Sequence, residues 1–504
     1  MFNEYYTQKL HTKPDWQLRD IAHGLPEHFS GKKFHIIGIC GTMMGTLAGM
    51  LIQLGYAVTG SDSAFYAPMG DEVKQLGIPL YTGYAAENIA DDCDAIIIAN
   101  TMACGPANPE VIRALDSGKP IISGAESVES LLIQNAQSFV VAGTHGKTTT
   151  TGMLATVMQQ LRLNPSFLIG GVMQQQNHSF HSEHNPAYFV IEGDEYGTAF
   201  FDMRPKFLHY KPNIAVITSL EWDHVDFYPS FSGYRDAFHH LCQLTTDALI
   251  ICNESSECAG LIEIAQNIYM KKVVSYGYSD TSDVWVETVS TDELGQHICI
   301  NYEKTKSLLV TLQLYGRYNA LNACAVFASL HTAGLLVPYT DAEIADAFAQ
   351  YKGMKRRQEI VFETDNYIII DDFAHHPTAV TETLRGVRTR FPDRRIVALF
   401  EPRSNTARRA VFQDLYPEAL SVADCVYLKA PTVTIADVGA DLMNPQMVID
   451  KTAQLCQFAK LFQTTDEIVN DIVHTKRLGD VYVIMSNGVF DDVCSKLSNI
   501  LEYE

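Results

Sequence analysis

The sequence predicts an α/β protein of three domains, each a largely parallel sheet covered by helices. Short apolar runs of strand length alternate with helical patterns along almost the whole chain, which is how βαβ units read. Its 504 residues exceed what one hydrophobic core organises and suit about three domains of ordinary size. The alternation also begins afresh twice, so the expected domains are 1–137, 138–352 and 353–504.

In the first domain the strand-like runs are Phe34–Ile39, Ala57–Thr59, Ala95–Ala99 and Pro120–Ile122. Gly38-Ile39-Cys40-Gly41-Thr42-Met43-Met44-Gly45 leaves the first strand and opens a helix, and Gly60-Ser61-Asp62 ends the next strand. This is the geography of a Rossmann-like nucleotide-binding unit, with a diphosphate at the helix N-terminus and an acidic residue about 20 positions on. Cys40 and Met43 stand where a dinucleotide fingerprint needs glycine, which disfavours a nicotinamide cofactor. The competing reading is that the glycines serve only tight strand–helix packing. The candidate ligand contacts are Gly38, Cys40, Gly41, Thr42, Met43, Met44, Gly45, Ser61 and Asp62.

The second domain opens with a strand over Phe139–Ala142, the turn Gly143-Thr144-His145-Gly146-Lys147-Thr148-Thr149, and a helix over Thr149–Leu161. Glycines at 143 and 146 let backbone N–H groups point inward around an anion, and the helix N-terminus adds its positive end. Lys147 reaches terminal phosphates and the Thr148 hydroxyl is placed to ligate Mg²⁺, as in a P-loop ATPase-like domain. Val141 occupies the first glycine of the usual eight-residue pattern, and the plainer alternative is an ordinary glycine turn. Further strands are expected at Tyr188–Ile191, Ile214–Thr218, Ala248–Cys252, Val273–Tyr276 and Ser307–Leu314. The first of these ends in Glu192, Asp194 and Glu195, and the second runs into Ser219-Leu220-Glu221-Trp222-Asp223-His224-Val225-Asp226. Hard oxygen ligands at strand ends beside a phosphate loop suit Mg²⁺, with His224 able to complete the shell. A helix over Tyr318–Leu330 carries Asn319 and Asn322 three residues apart, hence on one face, to cap or to bind a purine.

The third domain repeats the βα pattern through Tyr367–Asp371, Arg395–Phe400, Cys425–Leu428 and Asp480–Met485. Lys355-Arg356-Arg357 precedes Asp371-Asp372-Phe373-Ala374-His375-His376-Pro377, and Glu401-Pro402-Arg403-Ser404-Asn405-Thr406 follows the next strand. Between Lys352 and Arg409 there are twelve Lys/Arg against eight Asp/Glu, in a chain whose net charge is −22. The overall charge argues against nucleic-acid binding, and the basic segment points to a dock for an anionic substrate. Met1–Lys13 is polar with no apolar core of a signal peptide, and no apolar run approaches the roughly 20 residues of a membrane span. Eleven scattered cysteines without a C-x-x-C pair fit reduced thiols in a cytoplasm.

Taken in order, these segments resemble the Mur ligase family, the ATP-dependent amide-forming enzymes of peptidoglycan synthesis, over nearly the whole chain. Gly143–Thr149 is similar to the family ATP loop, Glu192 to its Mg²⁺ ligand and Asp223-His224 to its D-H motif. Asn319 and Asn322 match an amide pair near adenine, Arg357 an arginine that reaches the γ-phosphate, and Asp372 an acidic residue of the same domain. Phe238 stands where several members carry a carbamoylated lysine, which resembles the branch acting directly on UDP-N-acetylmuramate. Within that branch, residues 195–202, 400–406 and 485–488 are most similar to members that take a murein tripeptide. Ser219 and Tyr318 depart from the usual Asn and His of the pattern.

The resemblance implies a Rossmann-like UDP-binding domain, a central ATP-binding domain and a Rossmann-like C-terminal domain that brings the peptide and closes on ATP. It implies Lys147, His224, Arg357 and Asp372 as catalytic residues, and Gly143, Thr144, His145, Gly146, Lys147, Thr148, Thr149, Asn319, Asn322, Arg357, Asp372 and His376 around ATP. Thr148, Glu192 and His224 would hold Mg²⁺, and Arg403, Ser404 and Asn405 would meet the incoming amine substrate. The expected partners are UDP-N-acetylmuramate and L-alanyl-γ-D-glutamyl-meso-diaminopimelate, with no nucleic acid and no membrane. The muramate carboxylate would attack the γ-phosphate to give an acyl phosphate, which the peptide amine then captures, with His375 or His376 as candidate bases. The nearest alternative is an L-alanine-adding ligase on the same sugar. A nicotinamide oxidoreductase and a non-catalytic nucleotide-binding protein are the readings from other classes.

Overall fold

The computed structural model describes residues 23–65, 69–176, 179–432 and 441–502, so Met1–Lys13 lies outside the described residues. The first sheet holds β1 (Lys33–Ile37), β2 (Ala57–Asp62), β3 (Leu80–Thr82), β4 (Ala95–Ile98) and β5 (Ile121–Ser123) in the order β3-β2-β1-β4-β5, parallel throughout. β4 reads Ala-Ile-Ile-Ile and is buried along its whole length, as a central parallel strand requires. The order reverses between β1 and β4, and helix α1 (Thr42–Gln53) starts where β1 ends, at the switch point.

The central sheet comprises β6 (Gln137–Ala142), β7 (Ser166–Leu168), β8 (Phe180–His181), β9 (Tyr188–Glu192), β12 (Ile214–Ile217), β13 (Ala248–Cys252), β14 (Val273–Gly277), β15 (Val284–Asp292), β16 (Gly295–Tyr302) and β17 (Lys306–Leu312). Their order is β17-β16-β15-β14-β13-β12-β6-β9-β7-β8, with β10 (Gly197–Ala199) and β11 (Asp202–Pro205) in a separate hairpin. β6 sits between β12 and β9 and pairs parallel with both. Helix α2 (Lys147–Gln160) packs on helix α4 (Arg317–Thr332), while α3 (Phe231–Leu244) turns Phe238 into the core against Phe207 and Tyr234. β15 and β16 were not expected from the sequence. They form an antiparallel meander whose solvent face carries Glu287, Ser290 and Thr291, so their apolar alternation is weak.

The third sheet has β18 (Glu359–Glu363), β19 (Ile368–Asp372), β20 (Ile396–Phe400), β21 (Cys425–Lys429), β22 (Phe458–Phe462) and β23 (Val481–Met485) in the order β18-β19-β23-β20-β21-β22. Helix α5 (Pro377–Arg390) follows β19. One continuous apolar cluster runs from Ile36 and Ile97 of the first sheet to Ala142 and Ile217 of the central one, and α4 covers the other face of the central sheet with a second. The third sheet keeps two clusters of its own, one on each face. No described helix is long and apolar enough to cross a membrane.

Candidate active site

The segments that leave the C-terminal ends of β6, β9 and β12 share one floor because those strands are neighbours. Above it, where the three lobes meet, opens a cavity of 1980 Å³. That is well beyond the roughly 300–1,000 Å³ of a single small-molecule site, so it has room for more than one large substrate. Gly143 (φ 126°) and Gly146 (φ 81°) hold backbone that residues with a side chain rarely adopt. A Cβ on Gly143 would strike the Thr218 hydroxyl, and one on Gly146 would stand 2.7 Å from Asn322 Oδ1. Turn geometry and close neighbours both require glycine there.

Lys147 opens α2 and bends back, donating from Nζ to the Gly143 carbonyl at 2.7 Å and pairing with Glu195 Oε2 at 2.9 Å. Glu195 is fully buried and takes a second cation, His224, whose Nε2 lies 3.1 Å from Oε1. Burial opposes a charged imidazole, but the Glu195 carboxylate outweighs it and carries His224 up to about 9. Thr148 Oγ1 donates to Glu192 Oε1 at 2.9 Å, and Gly170 N–H to Oε2 at 2.8 Å. Burial and the neighbouring Asp194 push the Glu192 carboxyl up. A half-buried carboxylate with its charge only partly offset, beside a hydroxyl, is a hard-oxygen pair that Mg²⁺ would stabilise. His224 Nε2, the atom that would join that shell, is turned to Glu195 here. Asp194 faces Lys206 at 2.9 Å and the Tyr196 hydroxyl at 2.8 Å.

Asn319 and Asn322 lie buried on one face of α4. Asn322 Nδ2 donates to Asn319 Oδ1 at 3.3 Å, and the Thr150 hydroxyl donates to Asn322 Oδ1 at 3.1 Å, so the pair braces the first turn of α2. Thr144 donates from its hydroxyl to the Glu221 carbonyl at 2.8 Å, while Thr149 is buried in that turn. Asp223 accepts the His224 N–H at 2.6 Å, which fixes the D-H turn.

On the opposite wall, Asp372 ends β19 and is buried. It accepts the N–H groups of Gln358 (2.8 Å) and Ala374 (2.7 Å) and the Thr383 hydroxyl (3.2 Å), so it braces the turn bearing Arg357. Burial raises this carboxyl despite the Arg357 charge. Arg357 itself faces the cavity, 4.9 Å above the Phe373 ring. His376 caps α5, and burial followed by its neighbour His145 lowers it to about 3. Burial lowers His375 as well, while His376 is lowered far enough to make it the weaker base of the two expected candidates.

In the first lobe the Cys40 N–H donates to Asp62 Oδ2 at 2.8 Å, tying the glycine turn to the end of β2. Cys40, Gly41, Thr42 and Met43 face the cavity. Gly38 and Gly45 are packed so closely on Ala99 and Met69 that a Cβ would collide, and Met44 and Ser61 are buried. In the third lobe Arg403 lies exposed over Gly488, Ser404 Oγ accepts the Ala407 N–H at 3.0 Å, and Asn405 Nδ2 reaches Asp226 Oδ2 of the central lobe at 3.2 Å. Buried Arg408 holds this segment, donating to the Arg403 carbonyl at 2.7 Å and to Asn405 Oδ1 at 2.9 Å. Sequence reasoning passed over Arg408 because the surrounding basic segment gave it no distinction.

Three stretches of the chain match descriptions of known domains. Residues 33–135 match "Mur ligase family, catalytic domain", 141–330 "Mur ligase middle domain" and 356–488 "Mur ligase, glutamate ligase domain". The chain is 32% identical to the UDP-N-acetylmuramate–L-alanyl-γ-D-glutamyl-meso-2,6-diaminoheptandioate ligase of Haemophilus influenzae, over 94% of this chain and 99% of that one. Among solved structures it is similar to a murein peptide ligase from Psychrobacter arcticus, with 31% identity, a TM-score of 0.68 and 94% and 99% coverage. It is also similar to the UDP-N-acetylmuramate–alanine ligase of Thermotoga maritima, with 26% identity, a TM-score of 0.74 and 94% and 98% coverage.

Proposed function

The chain belongs to the Mur ligase family, and from that premise we propose that it joins the carboxylate of UDP-N-acetylmuramate to the amine of L-alanyl-γ-D-glutamyl-meso-diaminopimelate. ATP is consumed to ADP and phosphate, and the reaction serves peptidoglycan recycling in the cytoplasm. The observation that carries this reading is the identity of 32–33% to tripeptide-adding enzymes over 92–94% of the chain, against 30% to alanine-adding ones matched over the same 94%. The TM-scores run the other way, but across three lobes such a score mixes lobe orientation with local likeness, whereas side chains select the substrate.

A carboxylate is a poor electrophile. Phosphorylation turns it into an acyl phosphate and gives the peptide amine a leaving group to displace. Lys147 and Arg357 approach the transferring phosphoryl group from different lobes, so they counter its charge together only when the lobes close. Phosphate oxygens compete with Glu195 for Lys147, which frees that carboxylate to keep His224 charged. Mg²⁺, held by Thr148 and Glu192, would supply charge neutralisation between the phosphates. Asn319 and Asn322 border the nucleotide, residues 40–43 meet the UDP diphosphate, and Arg403, Ser404 and Asn405 face the carboxylates of the tripeptide. ADP formation, measured with UDP-N-acetylmuramate plus either the tripeptide or L-alanine, tests the reading. Turnover is expected with the tripeptide, and turnover with L-alanine alone would assign the alanine-adding activity instead.

A further inference from the structure

His145, Glu221 and His376 come from three segments and two lobes: the phosphate loop, the loop after β12 and the cap of α5. Their ligand atoms all lie within 4.8 Å of one another, close enough for one metal ion to be held by all three. Glu221 Oε2 is the focus, 3.4 Å from His145 Nε2 and 3.7 Å from His376 Nδ1. These separations are too long for good hydrogen bonds. They match tetrahedral ligation, in which metal–ligand bonds of about 2.0–2.1 Å put ligand atoms about 3.4 Å apart. The two imidazole rings stand 4.7 Å apart, centroid to centroid, inclined at 46°.

A second observation points the same way. His376 is 5% exposed, and its Nδ1, the atom nearest Glu221, accepts only a long 3.4 Å contact from the Thr378 N–H, which leaves that nitrogen open to a stronger partner. The protonation states also suit ligation. Burial keeps His376 neutral, and Glu221 stays ionised against its own burial because His145 lies beside it. The plainer reading is a polar cluster in which Glu221 accepts the Thr378 hydroxyl at 2.7 Å and a longer contact from His145 while His376 caps α5.

We propose that His145, Glu221 and His376 form a site for a borderline divalent transition metal (Zn²⁺, Co²⁺ or Ni²⁺) that staples the C-terminal lobe to the phosphate loop. Two nitrogen donors and one carboxylate select such ions over Mg²⁺, which prefers an all-oxygen shell. The site is separate from the Thr148–Glu192 pair. Because one ligand sits in the phosphate loop, the bound metal holds the two lobes together and slows their separation.

The test is a titration of the full-length protein with Co²⁺ in excess Mg²⁺, followed by visible absorption. The expected result is one equivalent bound with the spectrum of tetrahedral nitrogen and oxygen ligands and no thiolate charge-transfer band. His376→Ala and Glu221→Gln should each weaken binding at least tenfold while circular dichroism stays that of the parent. X-ray absorption at the zinc edge of the unaltered protein gives a check that needs no variant, with two imidazoles in the shell expected. Absence of the band, sulfur in the shell, fewer than two imidazoles, or well-folded variants that bind like the parent would overturn the site.

Discussion

Glu195 gathers Lys147 and His224, two side chains assigned to phosphate and metal chemistry, onto one buried carboxylate. In the sequence it is one of three acids at a strand end with nothing to set it apart; only the neighbouring positions of β6, β9 and β12 make it the shared partner. Lys147, Thr148 and the glycines were legible because a phosphate loop is a local pattern. Arg408 was not, since its role is to hold a segment from behind. Lys147→Ala and Arg357→Ala are each expected to lower turnover a hundredfold or more, the scale of losing preorganised charge in a dry site. ADP release measured at saturating substrates checks this, and normal turnover in either variant removes that residue from its role. Arg403→Ala is expected to raise the apparent KM for the tripeptide about tenfold, the worth of one charge-assisted hydrogen bond. An unchanged KM would take Arg403 out of peptide contact.

The β10–β11 hairpin anchors the central lobe to the first. Asp202 in β11 pairs with Arg204 at 2.6 Å and lies 3.0 Å from His209 Nε2, off the line of a hydrogen bond, while His209 Nδ1 faces Glu129 of the helical turn Val128–Ile133 at 3.7 Å. Asp202 and His209 are both buried. Burial works against both charges, yet each holds the other ionised, so Asp202 sits below its ordinary value of 3.8 and His209 above its ordinary 6.5. A depressed acid contributes stability above its unfolded value, and a raised histidine contributes it below its own. The pair therefore stabilises most between pH 3.8 and 6.5, and the histidine share fades as pH rises through its folded value. Asp202→Asn is expected to cost about 3 kcal/mol at pH 5 and less at pH 9, where the Arg204 contact still counts. Urea unfolding at the two pH values measures it, and an equal loss at both would refute the coupling. The sequence showed residues 195–202 as a string of resemblance but not as a hairpin, because its strands are only three and four residues long and bury Phe200 and Phe201 at the bend.

At the scale of the molecule, three α/β units were readable from alternation alone, while the way they join was not, because that depends on surfaces rather than periodicity. The first and central lobes share one apolar cluster. The third keeps its own and, apart from Met354 at the junction, which is buried in the central cluster, meets the central lobe through polar contacts: Thr378 to Glu221 at 2.7 Å, Asn405 to Asp226 at 3.2 Å, Lys355 N–H to the Val172 carbonyl at 2.8 Å and Gln174 to the Met354 carbonyl at 3.0 Å. Scanning calorimetry is accordingly expected to resolve two transitions, one for the fused pair and one for the third lobe, and a single two-state peak would contradict that division. The hydrophilic seam has a thermal consequence. Heat capacity follows the oily area laid bare to water, and parting this joint lays bare little of it, so the ratio of gaping to shut molecules should drift only slightly between a cold habitat and a warm one.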